Sequence, residues 1–190
     1  DLLHSQINPH FLFNALESIR MHSVLKKEFE TADMVAKLAL MERQYVDWGS
    51  DTVTVAEELD FVEAYLELQK YRFGERLSYE IDVQESCKDY HLPRMTVVTF
   101  AENACVHGIE KKSSPGWVFV RIYAGEKEMC IEIEDTGKGM EEPFLSEVRY
   151  KMSHAGIASL KTKNSIGIMN ACLRLRMITN DMVHFEIGRA

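Results

Sequence analysis

The stretch "LPRMTVVTFAENACVHGIEKK", residues 92–112, decides the fold of this chain, because it combines an apolar helical pattern with polar groups that a buried helix does not need. Thr99, Asn103 and His107 follow one another at intervals of four residues and so share one edge of the predicted helix. Burying such groups without partners costs roughly 1–3 kcal/mol each. They form either a structural polar network between helix and sheet or an edge that faces a ligand.

The ligand-facing alternative points to a metal ion. Asn103 and its neighbour Glu102 carry hard oxygen ligands of the kind that Mg²⁺ prefers. This ion usually keeps several waters and is held together with the phosphates of a substrate. The helix edge therefore predicts a hydrated Mg²⁺ beside a phosphate-bearing ligand.

Two glycine-containing turns suit the same ligand. In "DTGKGM" (135–140), Asp135 can accept a hydrogen bond from an exocyclic amine, while Gly137 and Gly139 let the backbone approach a flat ring. Gly167 of "SIGIMN" precedes a predicted helix start, where free N–H groups and the helix dipole favour phosphate. A D-x-G-x-G pattern also occurs in many turns without a ligand, so this turn alone leaves both interpretations open.

The flanking segments predict a sheet. "LSYEIDV" (77–83), "WVFVRIY" (117–123) and "MCIEIED" (129–135) alternate in polarity and are rich in β-branched and aromatic residues. "MVHFEIG" (182–188) has the same pattern and is predicted as a final strand. Together with the helices this indicates an α+β fold.

Further helices surround these strands. "TVAEELDFVEAYLELQKYRFG" (54–74) opens with a capping box and ends at a glycine, and the central helix is expected to begin with Pro93 at its first position. "SIGIMNACLRLRMI" (165–178) predicts another helix. The polar stretch from 141 to 164 shows little periodicity and is longer than an ordinary loop between two elements, so we expect it to act as a lid.

The first part of the chain predicts a helical hairpin over residues 2–46. Its first helix contains "QINPHFLFN" (6–14), in which Pro9 is expected to kink the helix next to His10. The alternative is that Asn8 and Pro9 cap a new helix and that His10 is incidental. The helical wheel places His10 opposite an apolar stripe and therefore in solvent. That stripe consists of Leu12, Ala15, Leu16 and Ile19, and the second helix carries one of Met34, Leu38, Met41 and Tyr45. Two helices bury too little surface alone, so we expect a second copy to complete a four-helix bundle.

Composition limits the class of protein. The hydrophobic fraction of 46% and charged fraction of 27% are normal for a soluble, folded chain. The net charge of −8 argues against a nucleic-acid partner. The four cysteines form no CxxC pair, which favours buried thiols in a reducing compartment over zinc or disulfides. No run of eighteen apolar residues and no signal peptide is present, and the sequence opens inside a helical pattern, so we expect a piece of a longer protein.

These motifs carry a family resemblance. "ENACVHG", "DTGKGM" and "SIGIMNACLRLRM" resemble the N, G1 and G2 boxes of the GHKL (Bergerat) ATP-binding fold, an α/β sandwich. "QINPHFLFNALESI", "EELDFVEAYLELQKYRFGERL" and "LPRMTVVTFAENACVHGI" are similar to the cytoplasmic kinase region of LytS/YehU-type sensor histidine kinases. The resemblance runs over nearly the whole chain.

The resemblance implies roles for individual residues. It implies that His10 is the phosphoacceptor, that Asn103 is a Mg²⁺ ligand and that Asp135 reads adenine. Glu102 would act as a base or orient water. ATP and Mg²⁺ are the implied cofactors, and the other implied nucleotide-binding residues are His107, Gly137, Gly139, Ser165 and Gly167.

The resemblance also implies an organisation and partners. Residues 1–50 would be the dimerising, phosphate-accepting hairpin, and residues 51–190 the GHKL catalytic domain, shortened at its C-terminus. The partners would be a second copy and a response-regulator receiver domain with LytTR-type output. The chain would be the cytoplasmic part of an integral membrane protein, joined to the membrane only through upstream segments.

Two positions leave an alternative open. Val106 stands where the family usually has lysine, and Ser165 replaces the first glycine of the G2 box. These departures favour a nucleotide-binding signalling scaffold with weak or absent kinase turnover as the second hypothesis. A GHKL ATPase of the chaperone or topoisomerase kind explains the three boxes but not "QINPHFLFN", residues 6–14.

Overall fold

The computed structural model describes residues 8–46, 51–154, 156 and 166–188. The chain divides into two compact units, residues 1–49 (unit 1) and residues 50–190 (unit 2). Unit 1 is helical, whereas unit 2 combines helices with sheets. The predicted mixture of helix and sheet is therefore confirmed.

Unit 1 is a pair of packed helices, α1 (Pro9–Leu25) and α2 (Phe29–Val46). Helix α1 begins at Pro9 because the backbone of Asn8 is not helical, with ψ at 120°, and the Asn8 side chain caps the first turn. The predicted kink inside a continuous helix is therefore wrong, since proline occupies the first helical position, where its missing N–H costs nothing.

The predicted apolar stripes of unit 1 are only partly covered. Leu16 and Met41 are buried in the contact between α1 and α2. Ile19 and Leu38, which belong to the same predicted stripes, are 52% and 39% exposed. A two-helix unit has too little surface to cover its whole apolar pattern.

Unit 2 contains five strands and four longer helices among the described residues, and short 3₁₀ turns connect some of them. Its elements are β1 (Thr52–Thr54), α3 (Val55–Phe73), β2 (Leu77–Val83), β3 (His91–Pro93), α4 (Thr96–Ala104), β4 (Gly116–Ala124), β5 (Met129–Asp135), α5 (Phe144–His154) and α6 (Ile166–Ile178).

The main sheet has the order β2-β4-β5, with β2 parallel and β5 antiparallel to the central strand. The three predicted strands are thus confirmed. Val118, Val120 and Ile122 of β4 are buried, and α3 and α4 contact this sheet. Strands β1 and β3 form a separate antiparallel pair that the sequence did not predict, because three-residue strands give too short a pattern.

The start of α4 differs from the prediction. Pro93 ends strand β3 instead of opening a helix, and the helix begins at Thr96 after Met95, whose φ is 65°. The capping box at the start of α3, formed by Thr54 and Glu57, is confirmed. The predicted stop at Gly74 is also confirmed, since this residue has φ 57° and caps α3.

Residues after 140 form a second small core. Helix α5 lies within the stretch 141–164 that is predicted as a lid, of which residues 155 and 157–164 fall outside the described residues. Its Val148 and Met152 pack on Met169 and Cys172 of α6. The segment 182–188 has no strand assignment, so the final-strand prediction is wrong. Its alternation reflects packing, because Phe185 and Ile187 lie against this core and no strand among the described residues pairs with them.

Candidate functional site

The predicted polar residues Asn103 and His107 both lie on the central helical segment, but their spacing differs from that of a regular α-helix. Asn103 is half-buried near the end of α4, while Glu102 is exposed. A π-helical segment, Cys105–Glu110, continues α4 and carries the exposed His107. Bonds of the i→i+5 type rotate His107 away from strict α-helical spacing, and such segments are frequent at functional sites. No pattern in the sequence indicates this change of helix type.

Helix α4 is held at its start by a residue that the sequence did not single out. The Glu58 carboxylate on α3 is 2% exposed. It accepts hydrogen bonds from the backbone N–H groups of Met95 at 3.0 Å, Val97 at 2.8 Å and Val98 at 3.2 Å. These are the orphan donors of the first turn, so Glu58 acts as a long-range N-cap.

Burial and hydrogen bonding compete at Glu58. Burial raises the pKa of this carboxyl, and the three backbone N–H groups and the charge of Arg174 oppose that rise. Arg174 on α6 also donates to the carbonyl of Arg94, just before α4, at 2.7 Å. The start of α4 is therefore fixed by both α3 and α6.

Asp135 meets the end of this helical segment through glycine. A Cβ on Gly108 would lie 2.5 Å from Oδ1 of Asp135, and a Cβ on Gly137 would lie 2.6 Å from Cα of Gly108. The N–H of Gly137 donates to Oδ1 of Asp135 at 2.8 Å. Only glycine fits at either position without displacing Asp135. The two motifs "ENACVHG" and "DTGKGM" therefore come together here.

The turn after Asp135 is anchored at its base. Thr136 Oγ1 accepts from the N–H of Trp117 at 2.9 Å, and Lys112 Nζ donates to the Thr136 carbonyl at 2.9 Å. Gly139 adopts φ 72°, which glycine tolerates without a Cβ penalty. The structure thus places Gly139 in the turn but not in the cluster of Gly108, Asp135 and Gly137.

The charge of Asp135 influences the pKa values of both Cys105 and His107. Burial raises the pKa of the Cys105 thiol to about 12, and the charges of Asp135 and Glu102 add to this rise. Burial lowers the pKa of His107, helped by Lys111 and opposed by Asp135. Lys111 Nζ lies 3.1 Å from His107 Nδ1. Cys105 is therefore a neutral thiol, and His107 favours the neutral imidazole.

The third motif reaches the same helix from α6. Gly167 is the second residue of α6, so the prediction that it precedes the helix is wrong. A Cβ on Gly167 would lie 3.4 Å from the Thr99 methyl carbon, so the start of α6 lies against α4. Thr99 does not present its hydroxyl as a free ligand, because that group donates to the Met95 carbonyl. Ser165, predicted to bind nucleotide, falls outside the described residues.

Two arginines close to the end of α3, Arg72 and Arg76, are held by contacts within the fold. Arg72 pairs with Glu110 at 2.8 Å. Arg76 donates to the carbonyls of Ile109 at 3.4 Å and of Lys112. Both arginines therefore join the end of α3 to the π-helical segment and the residue pair that follows it.

His10 of unit 1 is exposed, as the helical wheel predicted. Its backbone N–H donates to Oδ1 of Asn8 at 3.0 Å. The Asn14 amide nitrogen lies 3.4 Å from Nδ1 and 3.5 Å from Nε2 of His10, so it faces the ring edge between the two nitrogens. The first turn of α1 therefore presents an accessible imidazole with an amide beside it.

Comparison with known proteins extends these observations. Residues 1–77 match the histidine kinase family. The sensor histidine kinase YesM of Bacillus subtilis is 34% identical over 143 residues, covering 75% of this chain and 25% of YesM. Sensor histidine kinase BtsS of Escherichia coli is 36% identical over 146 residues, covering 76% of this chain and 26% of BtsS. Sensor protein LytS of Oceanobacillus iheyensis is 32% identical over 154 residues, covering 80% of this chain and 26% of LytS.

The chain spans about a quarter of the length of these relatives. Their names confirm the predicted relationship to sensor histidine kinases. Among the described residues, no helix is both long enough and apolar enough to cross a bilayer.

Proposed function

We propose that this chain is the kinase region of a sensor histidine kinase, which transfers a phosphoryl group from ATP to His10 and then to an aspartate of a response regulator. The observation that carries the proposal is an exposed histidine in the first turn of α1, on the segment that matches the histidine kinase family. The separate convergence of three motifs on α4 in unit 2 supplies the nucleotide site.

The residues of unit 2 fit a nucleotide. One oxygen of Asp135 accepts a hydrogen bond from the N–H of Gly137, and Gly108 packs directly against the same carboxylate because it has no Cβ. A carboxylate in this setting suits an exocyclic amine, since charge-assisted hydrogen bonds are the strong ones. Gly167 at the start of α6 supplies N–H groups for phosphate. Bound ATP would provide the phosphoryl group to be transferred.

The residues around Asn103 fit Mg²⁺ that arrives with phosphate. The described residues contain no group of three His, Cys, Asp or Glu side chains able to hold a metal alone. Asn103 is half-buried and Glu102 is exposed beside it, which leaves most ligands to water and phosphate. In this proposal Asn103 binds the ion, and Glu102 orients water or receives a proton.

His10 acts as the nucleophile. A neutral imidazole would use the lone pair of one ring nitrogen to form a bond to the γ-phosphorus of ATP, while the bond from that phosphorus to the β,γ-bridging oxygen breaks and ADP leaves with the electron pair. The other ring nitrogen keeps its N–H during the transfer and then gives this proton to a base. Asn14, one turn later, lies close enough to orient the ring. Phosphoryl transfer needs mainly placement and neutralisation of charge, so the fold has little covalent chemistry to perform.

Unit 1 is proposed to dimerise. Ile19 and Leu38 remain exposed although they continue the apolar stripes of α1 and α2. A second copy that packs on them would complete a four-helix bundle. The partners would then be a second copy and a receiver domain, with any membrane attachment provided by segments outside this chain.

The test is labelling with γ-labelled ATP and Mg²⁺, followed by acid and base treatment. We expect an acid-labile, base-stable label that His10→Gln abolishes, with ATP affinity retained within about twofold, because the two sites lie in separate units. His22→Gln is the matched control, since His22 is also an exposed histidine of α1. Label that persists in His10→Gln would refute the assignment.

A nucleotide-binding scaffold remains the competing function, because Val106 is half-buried at the usual lysine position. ATP binding by calorimetry without any label in the wild-type chain would establish it. Loss of ATP binding in Asp135→Ala is expected under both functions, so only the labelling experiment separates them.

A further inference from the structure

A groove on the surface of unit 1 runs beside His10. Helix α1 contributes His10 and Arg20 to its lining, and α2 contributes Arg43. Ala36 and Ala39 form part of its lining on α2, where their small side chains leave depth. The groove therefore brings the exposed imidazole and two guanidinium groups to one surface.

The topology of the hairpin explains why His10 and Arg43 share this surface. Helices α1 and α2 are joined by residues 26–28 alone. Such a short connection makes the helices antiparallel, so residues equally far from it lie side by side. His10 is 17 residues before Lys27 and Arg43 is 16 residues after it. Both residues consequently lie at the same end of the hairpin.

The two arginines differ in how they are held. Arg20 forms a two-point ion pair with Glu17, with Nε to Oε2 at 2.9 Å. The guanidinium carbon of Arg43 lies 5.0 Å from the ring centroid of Phe13. Within residues 8–46 and the described part of unit 2, Arg43 has no carboxylate partner. Contact with an aromatic ring orients the guanidinium but leaves its N–H groups available for an anion.

The backbone around His10 also suits an anion. His10 is the second residue of α1, and the positive end of the helix dipole lies in this first turn. Side chains of a helix tilt toward its N-terminus, so the imidazole projects over that end. The described charged side chains of the groove are Glu17, Arg20 and Arg43, and their sum is +1.

We propose that this groove is a phosphoryl-binding subsite in which Arg43 holds the phosphoryl group carried by His10. The inference rests on the proposed function of His10. A phosphoryl group adds about −1.5 to −2 charges at pH 7. This negative charge is larger in magnitude than the positive charge of the groove, so the phosphoryl group needs a cation that is not already paired with a carboxylate. Arg43 meets that need, whereas Arg20 is already paired with Glu17.

The same arrangement predicts what Arg43 does for the reaction. A guanidinium presents two parallel N–H groups to phosphate oxygens, so it stabilises the dianionic form of the phosphoryl group. Arg43 is thus a positioning residue for the transferred group and not a proton carrier. Its removal should change the properties of phosphohistidine more than the affinity for ATP.

The test uses the full 190-residue chain. Phosphoramidate, a small phosphoryl donor that does not need the nucleotide site, phosphorylates His10, and ³¹P NMR follows the phosphohistidine signal with pH. In Arg43→Gln we expect the apparent pKa of the phosphoryl group to rise by about one unit, because an opposite charge within reach is lost. Hydrolysis of the phosphohistidine should change severalfold, and ATP affinity should stay within twofold.

Three further variants make the result specific. Arg43→Lys keeps the charge and should restore most of the wild-type titration. Arg20→Gln removes a groove arginine that is already paired and should leave the titration unchanged. Arg43→Met keeps the packing on Phe13 without charge, and it replaces Arg43→Gln if that variant fails to fold.

The outcomes separate the two proposals. A phosphohistidine signal that His10→Gln removes but Arg43→Gln and Arg43→Met leave unchanged would overturn the subsite and retain the kinase. An equal shift in Arg20→Gln would also overturn it, because the effect would then be general groove charge. No phosphohistidine at His10 with either phosphoramidate or ATP would overturn the proposed function itself.

Discussion

Helices α1 and α4 both carry candidate functional residues, yet their first turns are secured in opposite ways. The N–H of His10 is satisfied by Asn8, two residues away. The first-turn N–H groups of α4 are satisfied by Glu58, which is 37 to 40 residues distant in sequence. The position of His10 therefore depends on local sequence, whereas the position of Asn103 depends on how α3 packs.

The same contrast applies to the two candidate sites. In unit 1 the imidazole, its capping residue and its neighbouring amide all lie within residues 8–14. In unit 2 the cluster at Asp135 joins the end of β5 to the π-helical segment after α4, and Gly167 adds α6. A substitution at the unit 1 site should therefore affect only residues close to it in sequence. A substitution at one contact of the unit 2 site should disturb all the elements that form that site.

The largest expected effect is that of Glu58→Ala. It leaves three first-turn N–H groups without their acceptor, at roughly 1 kcal/mol or more each, so unit 2 should lose about 3 kcal/mol of unfolding free energy. Denaturant unfolding and amide exchange at Val97 and Val98 measure this loss. The matched control is Glu63→Ala, an exposed glutamate of the same helix. Equal losses in both variants would refute a long-range cap.

Gly108→Ala should have the next largest effect. The added Cβ would lie 2.5 Å from Oδ1 of Asp135, so the carboxylate has to move. Overpacking of this kind costs typically about 1–3 kcal/mol, and ATP affinity should fall as well. Gly188→Ala is the control, because its nearest neighbour would be Arg149 Nη2 at 3.5 Å. Unchanged calorimetric binding of ATP in Gly108→Ala would separate Asp135 from the nucleotide site.

Asn8→Ala tests the local side of the comparison. Loss of an N-cap side chain costs about 1 kcal/mol. The loss should appear as faster amide exchange in the first turn of α1, with α4 unaffected, because the hydrogen bonds of Asn8 within the described part of the chain reach only to His10 and Leu12. Faster exchange in α4 of this variant would show that the first turn of α1 is not independent.

The smallest effect concerns pH. Because burial raises the pKa of Glu58, the folded state binds its proton more tightly than the unfolded state. The stability linked to this proton is present below the usual value of 4.5 and is lost as pH rises through the folded pKa. The wild-type chain should therefore lose stability relative to Glu58→Gln as pH rises from about 4.5 toward neutrality. Denaturant unfolding of both proteins across this range measures the difference, and the opposite slope would contradict the pKa direction.

Much of the candidate site could be predicted from sequence, because its motifs are short and ordered. The exposure of His10 follows from the helical periodicity of the residues around it. The glycines of "DTGKGM" indicate a turn in which the backbone approaches another group. The capping box of α3 and its stop at Gly74 are equally local. Patterns within about one helical turn carry their own physical cause, so they can be recognised in a single sequence.

The wrong predictions, and the helix that was not predicted, have one cause: a local pattern was interpreted without the partner that completes it. Helix α5 has its apolar residues Val148 and Met152 one turn apart in a polar segment, which is too weak a signal without α6 to cover it. The segment 182–188 alternates like a strand, but a strand also needs a neighbour with free N–H and C=O groups. Pro93 suits both a helix start and a strand end, and pairing with Thr52 decides for the strand.

The sequence by itself determined the exposure of His10, the capping of α3 and the order of the three motifs of the proposed nucleotide site, because each depends on neighbours a few residues apart. Only the tertiary structure decided that Glu58 caps α4, that Gly108 meets Asp135 and that Arg43 shares a groove with His10. These contacts join residues that are far apart in sequence, and no local period encodes them. Packing of the elements selects them, since it determines which buried polar groups find partners.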